Sequence, residues 1–186
     1  MPGGSEQLGS RLLTLEEAVG MDAPGDTEAA VLVPLYDWPE SPGLVFTERR
    51  ADLRRHSGEI SFPGGRRDTG EELHETALRE TDEELALPAS EIELVGAQPP
   101  VGTFVTSYKV HPFVGLIDAD VPLEPSPDEV AAVLHLRIDD LLAGYEKRRL
   151  VRRGIPFKTD CYVVGDHLIW GATARILTDL MSRLDA

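Results

Sequence analysis

FPGGRRDTGEELHETALRETDEELAL, from Phe62 to Leu87, opens as a tight turn at Phe62-Pro63-Gly64-Gly65, crosses a polar loop and continues as a helix crowded with carboxylates. At about 100° per residue with Glu80 at zero, Glu84 falls at about 40° and Glu83 at about 300°, so these acids cluster. Leu73 at about 20° and Ala77 at about 60° place Glu80 and Glu84 beside the apolar arc, whereas Glu75 and Asp82 point away from it. A solvated face accounts for Glu75 and Asp82, because exposed Glu costs little and favours helix. It fails for Glu80 and Glu84: like charges beside a core raise each other's proton affinity and are costly to desolvate unless a cation compensates.

Carboxylate oxygens completed by water are what Mg2+ or Mn2+ prefers, and such sites share the ion with substrate phosphates. Glu80, Glu84 and Glu83 therefore read as half of a metal site. Gly65 adds a backbone that can approach an ion or phosphate closely, although a lone Gly-Gly pair is more often merely a turn. Arg79 lies beside Glu83 at about 260° on the same wheel and within reach of Glu71. Charge-assisted hydrogen bonds there would tie loop to helix and hold the ligands in position.

Gly65, five residues, Glu71, seven residues, then Arg79-Glu80-Thr81-Asp82-Glu83-Glu84-Leu85-Ala86-Leu87 resembles the signature of the Nudix hydrolases, which split nucleoside diphosphates linked to another moiety. One position departs, Ala86, where the family pattern has Gly. In a left-handed helix-ending conformation, Ala86 costs on the order of 1 kcal/mol relative to Gly; otherwise the helix runs on until Pro88 stops it. Neither outcome touches the metal ligands.

Arg49, Arg50, Arg54 and Arg55 precede this stretch, and Arg66 and Arg67 follow Gly65. A charge run is ordinarily a solvated face. In a chain of net charge −15, however, arginines gathered around the metal turn point to an anion, because guanidinium groups offer paired donors in a fixed plane. Arg49, Arg54, Arg66 and Arg67 are the candidate substrate contacts, and the implied substrate is a multiply phosphorylated small molecule. Leu44-Val45-Phe46-Thr47-Glu48-Arg49, then Arg54, Gly58 and Phe62-Pro63-Gly64-Gly65, is similar to the motif upstream of the Nudix box in the coenzyme A diphosphatase subfamily. Arg50 stands where that motif has a small residue. Val95 to Pro100, His111 to Gly115 and Trp170 to Ala174 continue the resemblance, which covers most of the chain from Ala29 onward.

The 186 residues, 41% hydrophobic, suit one domain with its own core. The acidic balance argues against nonspecific nucleic-acid binding. No apolar run is long enough to cross a bilayer and no charged-then-apolar leader is present, so the expectation is a cytoplasmic protein without membrane partners. Cys161 is the only cysteine; it excludes an intramolecular disulfide and reads as a core thiol. The five histidines have no metal-ligand spacing.

Residues 1–25 read as a tail, frayed over Met1 to Ser10, with a short amphipathic helix around Arg11 to Val19; residues 26–186 form the hydrolase domain. Ala29 to Tyr36 reads as a strand in which Pro34 suggests an edge or an end, and a turn leads to a second strand at Leu44 to Thr47. Ile92 to Val95, Lys109 to Ile117 and Val130 to Leu136 read as further strands, and Ile138 to Ala143 as a short helix. The aromatics of the loop Gly102 to Tyr108 suit either adenine stacking or ordinary packing. Glu129 is the best acid outside the helix for a further metal contact or a base, a water-exposed loop carboxylate being the plainer alternative. The basic runs Lys147 to Arg149 and Arg152-Arg153 read as solvated. Gly165-Asp166 allows a hairpin into His167 to Trp170, and a helix from Ala172 to Arg183 closes the chain.

Strands mixed with a central and a terminal helix imply an α/β fold, an α/β/α sandwich with a mixed sheet, as the Nudix resemblance also implies. The expected chemistry is Mg2+- or Mn2+-dependent hydrolysis of a nucleotide-linked diphosphate. Glu80 and Glu84 bind metal, Glu71 and Arg79 complete the catalytic set, and the base is Glu83 or Glu129. The resemblance points to coenzyme A or an acyl-CoA as substrate. ADP-ribose, a dinucleotide, a capped RNA end, or nucleotide sensing without turnover are the alternatives, and a homodimer is compatible with all of them.

Overall fold

The computed structural model describes residues 4–50, 58–103, 106–152 and 154–185. Its strands are β1 (Thr27–Tyr36), β2 (Gly43–Arg49), β3 (Ile60–Ser61), β4 (Gly64–Arg66), β5 (Glu93–Ala97), β6 (Val101–Gly102), β7 (Tyr108–Leu116), β8 (Val130–Arg137), β9 (Tyr145–Arg152), β10 (Ile155–Val164) and β11 (His167–Ile169). Its helices are α1 (Gly4–Gly9), α2 (Leu15–Gly20), α3 (Leu73–Leu85), α4 (Ile138–Ala143) and α5 (Gly171–Leu184).

β1 runs parallel to β7 from Thr27↔Tyr108 to Leu35↔Leu116, and the other pairings are antiparallel, so the eight-stranded sheet is mixed. Alternate residues of a strand face opposite sides. Accordingly Ala30 and Leu32 pack with Leu73 and Ala77 of α3, while Val33 and Leu35 join Ile176, Leu177 and Leu180 of α5. Helices thus cover both faces, which is the expected α/β architecture. A second sheet, in the order β11-β10-β9, packs with α5 and α4.

Three expectations are corrected. Pro34 lies inside an internal strand, not at an edge. The Leu32 amide donates to Pro63 O at 2.9 Å, and Pro34, two residues on, faces the same side. There β4 pairing stops at Val31 and β2 pairing begins at Leu35, so the missing N–H falls in a gap between partners. The N-terminus is not frayed from Gly4: α1 puts Leu8 in the core. The adjoining helix is α2, capped by Thr14 and Glu17, while Arg11 to Leu13 lie outside it. The basic run Lys147 to Arg149 is exposed, as expected, and it lies within β9, paired with Asp160, Thr159 and Lys158 of β10.

α3 stops at Leu85, and Ala86 caps it in the left-handed conformation at φ 51°, its amide donating to Asp82 O at 2.8 Å. The strained of the two helix ends is the one adopted. The expected hairpin forms at Gly165-Asp166, with Val164 paired to His167, and Cys161 is buried with a free thiol.

Candidate metal centre and substrate cavity

The turn and α3 are joined by Arg79. Its Nε donates to Glu71 Oε1 at 2.8 Å, Nη2 to Glu71 Oε2 at 3.2 Å, and Nη1 to Glu80 at 2.9 Å and Glu83 at 3.2 Å. Nη2 also reaches the Arg66 carbonyl at 3.3 Å. Glu71 accepts further from Thr76 Oγ1 at 2.7 Å and from the Asp68 amide at 3.3 Å. The Arg79 hydrogen bond, against the cost of burial, holds the Glu71 carboxyl down at about 2. Glu71 is therefore a permanent anion fixing Arg79, and Arg79 distributes its remaining donors over two other acids of the cluster.

Glu80 and Glu84 behave differently. Burial raises the proton affinity of Glu80 against the opposing pull of Arg79. Glu84 is buried, and burial followed by the charges of Glu129 and Glu80 pushes its carboxyl up to about 8. Its Oε2 has no hydrogen-bond partner among the described residues. Gly65 of β4 makes room for the cluster: a Cβ there would lie 2.4 Å from the Glu80 carboxylate.

Glu129 arrives from a separate segment. The Glu124 amide donates to Leu85 O and the Ser126 amide to Glu84 O, each at 2.8 Å. These bonds occupy carbonyls that the end of α3 leaves open. The Arg50 amide donates to Glu129 O at 3.1 Å, and its Nη1 donates to Pro127 O. The residue that departs from the subfamily motif therefore braces the loop beneath Glu129.

Glu80, Glu84, Glu129, Arg49, Gly65 and Arg66 all line one cavity of about 1040 Å3. Arg49 Nη2 stands 3.9 Å from Glu129, and its charge also bears on Glu84. Glu83 is exposed and bonded to Arg79, and it is not part of the cavity lining. Nor is Arg67, which donates to Glu71 O and to the Glu28 carboxylate, both at 2.6 Å, bracing β1 against the loop. Arg54 lies outside the described residues. Thr103, Thr106 and Tyr108 of the expected loop reach the cavity. Phe157, Lys158 and Arg175 also line it, and neither charge patterning nor periodicity marks them in the sequence.

The donor set suits a hard divalent ion in part. Among the described residues no three acidic side chains already converge on one point. Two helix acids, a loop acid and an unpaired buried oxygen nevertheless fit an ion that keeps several waters and takes its other ligands from substrate phosphates.

The Nudix domain profile matches residues 26–154. NudL of Escherichia coli O1:K1, an uncharacterized Nudix hydrolase, is 37% identical over 174 residues, covering 92% of this chain and 90% of its own. Among solved structures, a Caenorhabditis elegans Ap4A hydrolase superposes with a TM-score of 0.58 at 15% identity, covering 86% of this chain and 98% of its own. A MutT/nudix family protein from Enterococcus faecalis gives 0.58 at 14% identity over 100% of this chain and 74% of its own. At those identities the two structures establish the fold.

Proposed function

The chain belongs to the Nudix family, and from that premise we propose that it hydrolyses the diphosphate of coenzyme A or an acyl-CoA. The products are 4′-phosphopantetheine, acylated or free, and adenosine 3′,5′-bisphosphate. The observation that carries the hydrolytic reading is the Glu84 carboxylate, buried beside Glu80 and Glu129 with one oxygen unpaired. A carboxylate so placed is costly unless a cation joins it. The coenzyme A assignment is supported by the motif from Leu44 to Gly65 and by Arg49 and Arg66 in the cavity lining.

Glu80 and Glu84 would hold the ion, with the Gly65 backbone alongside. A divalent ion bound there offsets charge on the phosphoryl oxygens and makes a neighbouring water more acidic. Arg49 and Arg66 offer donors to the diphosphate. Glu129, on the cavity wall, would accept the proton of the attacking water, and Glu83 is the alternative base through its link to Arg79. Arg79 keeps Glu80 and Glu83 in register throughout. Water attacks phosphorus, the phosphoanhydride bond to the bridging oxygen breaks, and the leaving phosphate departs with that oxygen. Because residues beyond 154 also line the cavity, we take residues 26–186 as the working domain and residues 1–25 as its N-terminal extension. Cytoplasmic location accords with this chemistry; no described helix is long and apolar enough to cross a membrane.

The test is a mass-spectrometric product assay with Mg2+ and separately Mn2+, offering coenzyme A, an acyl-CoA, ADP-ribose and NADH to the wild type and to Glu84→Gln. Adenosine 3′,5′-bisphosphate is expected from the first two substrates. The variant is expected to lose on the order of a thousandfold in rate, reflecting the several kcal/mol that a metal's charge supplies. Cleavage of ADP-ribose or NADH with coenzyme A untouched would overturn the substrate assignment, and no cleavage at all would overturn the hydrolytic reading.

A further inference from the structure

The Nudix match ends at residue 154, but the lining of the cavity does not. β10 contributes Phe157 and Lys158, and Trp170 and the N-terminal half of α5 extend the wall as far as Ile176. The acids Glu80, Glu84 and Glu129 and the arginines Arg49 and Arg66, assigned above to the ion and the diphosphate, come from β2, β4, α3 and the loop before β8, all within the matched residues. The wall from outside the match carries two cations, Lys158 and Arg175, and beside them an apolar surface of Phe157, Trp170 and Ile176, with Val110 in the same lining.

The two aromatic rings have centroids 6.2 Å apart and planes inclined at 44°. A flat base stacks face to face on an aromatic plane, and two inclined rings already in contact offer it no parallel-walled slot. They make a corner. A flexible aliphatic chain conforms to a corner and gains with every methylene withdrawn from water. Val110 and Ile176 belong to one buried apolar cluster and carry the same surface onward. The cavity, about 1040 Å3, is also at the upper end of the range for small-molecule sites, roughly 300–1,000 Å3, which leaves space beyond a nucleotide.

We propose that β10, Trp170 and the first turns of α5 form a site for an aliphatic chain carried by the substrate on the far side of its diphosphate. Phe157 and Trp170 set the preferred chain length. This rests on the diphosphate reading above, and it assigns substrate selection to a segment outside the shared family core.

The experiment uses adenosine 5′-diphosphate esters of butanol, octanol and dodecanol. It measures kcat/KM with Mn2+ and, independently, Kd by calorimetry in metal-free buffer. From butyl to octyl, wild type should gain about tenfold to a hundredfold in both quantities, below the ceiling for complete burial of the added methylenes. Trp170→Ala and, separately, Phe157→Ser should each lower the octyl-to-butyl ratio by about fivefold or more. Phe157→Leu, which keeps an apolar side chain and the least disturbed fold, should retain most of it. Equal Kd and equal kcat/KM along the wild-type series, or an unchanged ratio in the Ala and Ser variants, would overturn the proposal. If the esters are split at rates independent of length, hydrolysis stands and the chain site falls. If none is split but Kd tightens with length and Trp170→Ala removes that trend, the chain site stands and hydrolysis falls.

Discussion

The Ser126 amide donates to the Glu84 carbonyl at 2.8 Å, so the loop that carries Glu129 hangs from the residue whose carboxylate shares its cavity. Ser126→Pro removes that donor. The variant should lose about 1 kcal/mol of stability, the net value of one hydrogen bond, yet fall about a hundredfold in kcat as Glu129 shifts. Combined with Glu129→Gln it should cost little more than either change alone; strict additivity of the two effects would show that the loop does not act through Glu129.

Metal and proton compete for Glu84. Its folded-state value of about 8 lies above the ordinary 4.5, so the metal-free fold is most stable below that ordinary range and loses stability as pH rises through about 8. The apparent Mn2+ affinity should climb over the same window and level above it, and Mn2+ should raise Tm most at the alkaline end. Titration calorimetry across the window checks this, and Glu84→Gln should flatten the profile.

Glu71 behaves in the opposite sense. Its value is depressed from 4.5 to about 2, first by the Arg79 hydrogen bond, so its contribution is complete above the ordinary range and is lost as pH falls through about 2. Glu71→Gln should lower neutral stability by about 1–3 kcal/mol and make acid unfolding less steep. Arg79→Lys keeps the charge but loses the fork, and should reduce kcat by about tenfold to a hundredfold. Denaturant curves against pH and steady-state rates separate the two effects.

Gly65→Ala places a methyl 2.4 Å from the Glu80 carboxylate. That carboxylate is the far end of a flexible side chain, so it moves and the fold survives. The expected signature is a nearly unchanged Tm with metal affinity weakened about tenfold to a hundredfold. A large fall in Tm would show that the backbone yields instead.

Ala86→Gly should stabilise the protein by about 1 kcal/mol, because glycine adopts positive φ without penalty. In a chain of this size that corresponds to a Tm increase of about 2–4 °C. Thermal unfolding without metal measures it.

The acids of α3 were legible because their helical angles depend only on spacing, and the Arg79 to Glu71 link because loop and helix adjoin in sequence. Pro34 misled because local preference describes one strand, whereas tolerance depended on where its two neighbours stop. The basic run of β9 carried no apolar alternation, so its strand character comes from pairing with β10. Leu8 is held by contacts distant in the chain, and no pattern in a short Gly- and Ser-containing segment reveals that. Arg67 is bound to Glu28 and the loop while Arg66 reaches the cavity, a division that composition cannot make. Phe157 enters the cavity through tertiary packing alone.

The left-handed cap at Ala86 has one more consequence. Alanine gains nothing from that conformation, so the length of α3 is not encoded within it; the amides of Glu124 and Ser126 help to hold the end where it is. A peptide excised as residues 62–87 would keep the acids and lose the stop. Transplanted into another scaffold, the signature would bring its ligands without the register that brings Glu129 to them. It is not a portable cassette but one half of a joint whose other half lies some forty residues downstream.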